Sequence, residues 1–121
     1  MKTCDYCKSS FQIKKVGSGG SNRRFCFTCL PDGLPRQERA VVRRNLLTAM
    51  SREHKESIGC YVCGYKNFGG ALEWHHSKDD KSNDPANSLA KSWDAYLEES
   101  KKCVLLCANC HREAHANIIS V

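Results

Sequence analysis

The longest periodic pattern of apolar and polar positions lies between residues 35 and 57, PRQERAVVRRNLLTAMSREHKES. Val42, Leu46 and Ala49 recur at the three- and four-residue spacing of one helix face, with polar residues at most other positions. Pro35 suits the first turn of a helix, and Gly59 follows the last periodic residue. The pattern therefore predicts one helix over residues 35–57.

The second half of the chain has shorter patterns. The segment ALEWHH predicts a strand, DPANSLAKSWDAYLEES an inserted helix, CVLL a second strand, and ANCHREAHANII the opening of a final helix. The inserted helix would carry four apolar residues on one side, at Leu89, Trp93, Tyr96 and Leu97. We therefore expect residues 60–121 to run strand, insert, strand, helix.

Residues 1–34 have no long helical pattern. They contain the turns CDYC and CFTC, joined through GSGGSN, and they predict two short hairpins. The sequence thus divides into an N-terminal unit over residues 1–34, a connecting helix over 35–57 and a second unit over 58–121. A small α+β fold of 121 residues has a thin core, and metal ions often brace folds of this size.

Eight of the nine cysteines form pairs with two residues between the members. This spacing lets a tight turn aim both sulfurs at one ion, and two such turns complete a tetrahedron. One set has eighteen residues between its pairs, and the other has forty-three. The sets predict two structural Zn²⁺ sites, with free or redox-active cysteines as the alternative: Cys4, Cys7, Cys26 and Cys29; Cys60, Cys63, Cys107 and Cys110.

The N-terminal residues MKTCDYCKSS lack the apolar stretch of a secretion signal. The longest apolar run, CVLLCA, is far too short to cross a membrane. We therefore expect a cytoplasmic, intracellular protein that is not secreted and does not bind membranes. In that compartment clustered cysteines bind metal more often than they form disulfides.

The formal charge of +6 would fall to +2 if eight thiolates held two zinc ions, so net charge alone says little. Its distribution says more, because residues 1–66 carry +8 and residues 67–121 carry −2. Clustered cations neutralise phosphates, although a solvated helix face is the alternative. The candidate nucleic-acid contacts are Arg23, Arg24, Arg36, Arg39, Arg43, Arg44 and Arg112, with Lys14 and Lys15 beside them.

Four histidines have spacings that favour a catalytic metal. His111 and His115 are four residues apart, so a helix would place them on one face, where His75 could supply a third ligand. Three protein ligands leave positions open for chemistry. His76 would point to the other side of the strand and could act as a general base. The alternatives are four surface histidines, or His111 as an additional ligand of the cysteine site.

Taken together, CYVC, EWHH and CVLLCANCHREAH resemble the HNH endonucleases, the ββα-metal nucleases, in their four-cysteine zinc-braced form. The resemblance covers roughly residues 58–119. It implies a ββα-metal core, preceded here by a zinc-ribbon-like hairpin unit and a basic helix. It also implies that His75, His111 and His115 hold one catalytic divalent ion (Mg²⁺, Mn²⁺, Ni²⁺ or Zn²⁺). His76 would be the base that activates water.

The resemblance implies a one-metal hydrolysis of DNA that leaves 5′-phosphate and 3′-hydroxyl ends, as in phage, mobile-element or restriction enzymes. One position departs from the family, because Lys102 stands where the middle Asn often lies, and Asn83 or Asn87 could replace it. One centre cuts one strand, so a homodimer could cut both. The competing function is a non-catalytic double zinc-finger module that binds nucleic acid or a protein partner.

Overall fold

The computed structural model of the protein describes residues 1–12, 23–76 and 85–121. These residues form four α-helices and two antiparallel sheets of two strands each, which confirms the small α+β class. They divide into two compact units, residues 1–46 and 47–121, with the boundary inside the first helix. The division into residues 1–34, 35–57 and 58–121 stays a prediction. No helix in the described part is long and apolar enough to span a membrane.

The first unit begins with a hairpin of strands β1 (Lys2–Thr3) and β2 (Ser10–Phe11). Lys2 lies opposite Phe11, and the first cysteine turn connects the strands. A second hairpin is not formed in residues 23–34, which contain turns and no strand. The glycine-rich segment, residues 17–22, lies outside the described residues, as do Lys14 and Lys15. Buried Phe25 and Leu30 form part of a small core beside the cysteines.

Helix α1 spans Arg36–Ile58, within one residue of the prediction at each end. Its predicted apolar stripe is wrong in position, because the buried residues are Leu47, Met50 and Ser51. Val42, Leu46 and Ala49 are only half-buried. Two adjacent faces of this helix share the same spacing of three and four, so periodicity alone does not choose between them.

The second unit contains strands β3 (Leu72–His76) and β4 (Cys103–Cys107), which pair in antiparallel register. The fourth helix of the described chain, α4 (Ala108–His115), follows β4 directly. Strand alternation places Glu73 and His75 on one face of this hairpin and Trp74 and His76 on the other. The predicted strand–strand–helix order is confirmed.

The predicted inserted helix is wrong as a single element, because it is broken into α2 (Pro85–Lys91) and α3 (Trp93–Ser100). Ser92 separates them in extended backbone, with φ −169° and ψ 161°. Its hydroxyl accepts a hydrogen bond from the Ala95 N–H at 3.0 Å, which caps the second helix. A serine that caps a new helix therefore outweighs the continuous apolar pattern.

An aromatic cluster joins α1, β3 and α3. Tyr96 is almost fully buried and stacks on Trp93 with ring centroids 4.8 Å apart. Its hydroxyl lies 3.1 Å from His54 Nδ1, and the His54 ring lies 5.9 Å from that of Trp74. Burial raises the pKa of Tyr96 to about 12. The cluster packs against the Trp74 face of the hairpin.

A close backbone approach fixes the entry into β3. Gly69 opens a short 3₁₀ turn (Gly69–Ala71), and its N–H donates to the Glu56 carboxylate at 2.7 Å. A β-carbon at Gly69 would overlap the backbone of Arg52. The turn can therefore approach α1 only because this residue has no side chain.

Candidate metal centres

The first four-cysteine group brings together Cys4, Cys7, Cys26 and Cys29, whose sulfurs all lie within 4.8 Å of one another. The Sγ atoms of Cys7 and Cys26 are 3.7 Å apart. Tetrahedral zinc with Zn–S bonds of about 2.3 Å separates its sulfurs by about 3.8 Å, whereas a disulfide bond is about 2.05 Å long. No cysteine forms a disulfide. The group could hold one zinc ion.

The second group has the same geometry in the second unit. Cys60, Cys63, Cys107 and Cys110 also place their sulfurs within 4.8 Å of one another. The Sγ atoms of Cys63 and Cys107 are again 3.7 Å apart. The β3–β4 pairing carries the last pair across forty-three residues to the first, as the order of elements predicts. This group could also hold zinc.

The leading turns of the two groups share a hydrogen-bond pattern. The Cys4 N–H donates to the Ser9 carbonyl at 2.8 Å, and the Cys60 N–H donates to that of Tyr65 at 2.8 Å. The residue after each pair has positive φ, 65° at Lys8 and 79° at Gly64. The same turn is therefore built twice, once with a glycine where left-handed backbone favours it and once without.

The pKa values of the clustered thiols are shifted in different directions. Hydrogen bonds from the side chain and backbone of Ser9 lower the pKa of Cys7 to about 6. Burial raises the pKa of Cys60, but backbone N–H groups, first that of Cys63, outweigh it and bring the pKa to about 6. Burial and neighbouring thiols raise the pKa of Cys110. A divalent cation would stabilise all four thiolates, which is the ligand form that zinc requires.

Three histidines form a third group in the second unit. His75 comes from β3 and His111 and His115 from α4, and their nearest ring nitrogens all lie within 4.8 Å of one another. The Nε2 atoms of His111 and His115 are 3.0 Å apart. Two nitrogens on one tetrahedral ion, each about 2.05 Å from it, would be about 3.3 Å apart. The three predicted ligands could therefore meet one divalent ion.

The acid–base state of His75 suits that role. Burial, together with the charges that His111, His115 and His76 would carry, lowers the pKa of His75. A lowered pKa favours neutral imidazole, which is the form that coordinates metal. The lowered pKa of His75 is therefore consistent with a ligand role in this group.

A carboxylate stands behind this group. Glu73 Oε1 lies 2.5 Å from His111 Nδ1. An ionised carboxylate only accepts hydrogen bonds, so the Nδ1–H donates and the Nε2 lone pair is left facing His115. Metal-binding histidines commonly donate their other nitrogen to a carboxylate, which fixes the ring and raises its basicity. Glu73 thus orients the His111 ring toward the other two.

His76 lies on the opposite face of β3 from this group. Its Nε2 is 3.7 Å from Glu99 Oε1, and both side chains are largely buried. Lys102 Nζ lies 3.5 Å from the other oxygen of Glu99. Lys102, which stands where the family often has Asn, therefore approaches the same carboxylate that faces His76. Asn87 is exposed on α2, and Asn83 is outside the described residues.

The predicted phosphate-binding arginines differ in their surroundings. Arg23 is buried, its guanidinium donates to the Cys26 carbonyl at 3.3 Å and to that of Leu30, and it covers the Phe27 ring. In the structure this side chain therefore holds the second cysteine turn, and its phosphate contact stays a prediction. Arg24 is exposed and lies 3.0 Å from Asp5 Oδ2. The others line helices and are exposed, except half-buried Arg43: Arg36, Arg39, Arg43, Arg44 and Arg112.

Two carboxylates beside the histidines were missed by sequence reasoning. Glu73 could have been found, because a residue two before His75 in a strand shares its face. Glu99 could not, because its place beside His76 depends on the break at Ser92 and on how α3 packs.

Comparison with known proteins returns no match among protein families, curated proteins or solved structures. The class is therefore defined by the fold and its donor groups alone. The chain is a small α+β protein with two four-cysteine groups that could bind zinc.

Proposed function

We propose that the protein is a metal-dependent DNA endonuclease of the HNH type. The observation that carries the proposal is the convergence of His75, His111 and His115 on one point, with His76 at the end of the same strand. Three imidazoles leave coordination positions for water and substrate, unlike either four-cysteine group. The hairpin followed by a helix agrees with the ββα core that the motif resemblance implies.

A divalent ion at the histidine group would stabilise the negative charge that develops on phosphate oxygens during hydrolysis. The remaining steps belong to the chain. Neutral His76 takes a proton from the attacking water, whose oxygen forms the new bond to phosphorus while the bond to the 3′-oxygen breaks. The departing 3′-oxygen takes up a proton from solvent water. This cleavage leaves a 5′-phosphate and a 3′-hydroxyl. Glu73 keeps the His111 ring in the tautomer that binds metal.

DNA is the proposed substrate because the cations cluster in the first half of the chain. Arg36, Arg39 and Arg44 are exposed on one helix and are suited to phosphate contact. Phosphate contacts release counterions, so affinity should fall steeply as salt rises. Replacing these three arginines by Gln should weaken DNA binding and make the affinity less dependent on salt concentration. A fold defect would instead change the circular dichroism spectrum of the DNA-free protein.

Plasmid nicking tests the activity. Zinc-loaded protein is incubated with supercoiled DNA and Mg²⁺, Mn²⁺ or Ni²⁺, then with a chelator and with metal restored. We expect metal-dependent nicking that His76→Ala abolishes while zinc content and DNA binding are kept. DNA binding without cleavage under any of these metals would favour the non-catalytic double zinc-finger module instead. Full cleavage by His76→Ala would contradict the role given to His76.

A further inference from the structure

We infer that Glu99 is the positioning residue for His76, fixing the ring so that its other nitrogen faces the attacking water. The inference deepens the proposed function and rests on it. The Glu99 carboxylate oxygen Oε1 lies 3.7 Å from His76 Nε2, on the face of β3 away from the three metal-binding candidates. That separation is slightly beyond a hydrogen bond, and such contacts often shorten only when substrate binds.

The burial of Glu99 makes its contacts with His76 and Lys102 important, because they must compensate for lost hydration. The residue is only 6% exposed, and a buried carboxylate needs charged or hydrogen-bonding partners. His76 Nε2 and Lys102 Nζ approach different oxygens of this carboxylate, at 3.7 and 3.5 Å. The carboxylate therefore lies between a ring and a cation, where its rotation is restricted.

The chemical consequence concerns the tautomer of His76. A carboxylate accepts a hydrogen bond from Nε2–H, and a neutral imidazole that carries its proton on Nε2 has its lone pair on Nδ1. A general base needs that lone pair directed at water. Glu99 would thus do for His76 what Glu73 does for His111, since each carboxylate faces the nitrogen that takes no part in the chemistry.

This role also accounts for the position at which the sequence departs from the family. Lys102 stands where an Asn would brace the base, and a lysine ammonium cannot accept a hydrogen bond from imidazole. The lysine instead pairs with the Glu99 carboxylate, and that carboxylate faces His76. The pair of Glu99 and Lys102 replaces the single side chain that the family would use.

The experiment compares Glu99→Gln with Glu98→Gln in the zinc-loaded full chain. Glu98 is a matched control because it is the adjacent acid, is 74% exposed and pairs with Lys101 on the surface. We expect Glu99→Gln to lower kcat for plasmid nicking about 100-fold with little change in KM, as a misplaced catalytic group would. Glu98→Gln should match the parent in both constants.

A second measurement separates positioning from a loss of fold. Long-range ¹H–¹⁵N spectra, recorded above the ordinary histidine pKa of about 6.5, report which nitrogen of His76 carries the proton. The parent should show a single Nε2–H form, and Glu99→Gln a mixture, with backbone spectra unchanged. Equal kcat in parent and Glu99→Gln, or an unchanged His76 tautomer, would overturn the inference. A parent that does not cleave would instead overturn the proposed function, and the inference with it.

Discussion

The two four-cysteine groups are built from the same leading turn but differ in the element that begins at their second pair. After Cys29 the chain passes through a loop toward helix α1, and no histidine lies nearby in the sequence. After Cys110 the chain is already inside helix α4, so His111 and His115 come at once. An ion in the first group could only brace its unit, whereas an ion in the second group could also fix the position of two imidazoles.

The difference shows how a structural metal could serve a chemical one. Cys107 and Cys110, at the start of α4, meet the turn that contains Cys60 and Cys63, and β3, which carries His75, follows that turn in the chain. An ion in the cysteine group would therefore fix the distance between the helix and the strand that supply the three histidines. Four thiolates leave no open coordination position, so that ion would take no direct part in the reaction.

The largest expected effect comes from removing one ligand of each cysteine group. Cys60→Ser should unfold the second unit, because structural zinc contributes on the order of 10 kcal/mol, as much as a domain's whole stability. Cys4→Ser should disorder the first unit and leave the histidine group intact. Backbone NMR spectra and zinc content measure both, with one zinc lost in each variant. A native backbone spectrum for the second unit in Cys60→Ser would contradict the claim that its cysteine group holds the unit folded.

A smaller effect is expected at the carboxylate behind His111. Glu73→Gln should lower the affinity of the histidine group for Ni²⁺ by about 10- to 100-fold, as loss of such outer partners typically does. Glu113→Gln, an exposed acid on α4, is the matched control and should bind like the parent. Calorimetric titration of zinc-loaded protein measures the difference. Equal affinities for the two variants would mean that the 2.5 Å contact does not orient the ring.

The free energy of unfolding should fall by about 1 kcal/mol more when alanine replaces the positive-φ residue of the second leading turn than when it replaces that of the first. Gly64→Ala places a β-carbon at φ 79°, where left-handed backbone costs an L-residue about 1 kcal/mol. Lys8 is at the equivalent position of the first turn and already carries a side chain at φ 65°, so Lys8→Ala should change stability little. Chemical denaturation of the two variants measures the contrast. Equal losses would show that the turns are not equivalent.

The smallest effect concerns the aromatic cluster of the second unit, where the first unit has the edge-to-face pair of Phe11 and Phe27, with ring centroids 6.2 Å apart. Burial lowers the pKa of His54, and an unfolded histidine has a pKa of about 6.5. Below that pH the unfolded chain binds a proton more readily, so stability falls as pH falls, by less than about 1.4 kcal/mol per pH unit. His54→Gln, which cannot titrate, should lose less stability between pH 7.5 and 5.5. Parallel losses in parent and variant would contradict this.

The sequence predicted those features that depend on local spacing. Helix α1, both strands of the second unit and both cysteine groups follow from periodicity and from paired cysteines. The break at Ser92 was missed because capping by one hydroxyl competes with a continuous apolar pattern. The role of Arg23 was missed because its burial depends on the fold of the cysteine turn and not on charge. Glu99 needed tertiary packing to reach His76.

Metal titration of the zinc-loaded protein tests the central claim most directly. The account predicts one further ion per chain beyond two zinc ions, detected by native mass spectrometry with Ni²⁺ or Mn²⁺. That ion should be lost in His75→Ala and His111→Ala and kept in His76→Ala, since His76 faces away from the group. Two ions per chain under every condition, or loss of the third ion in His76→Ala, would contradict it.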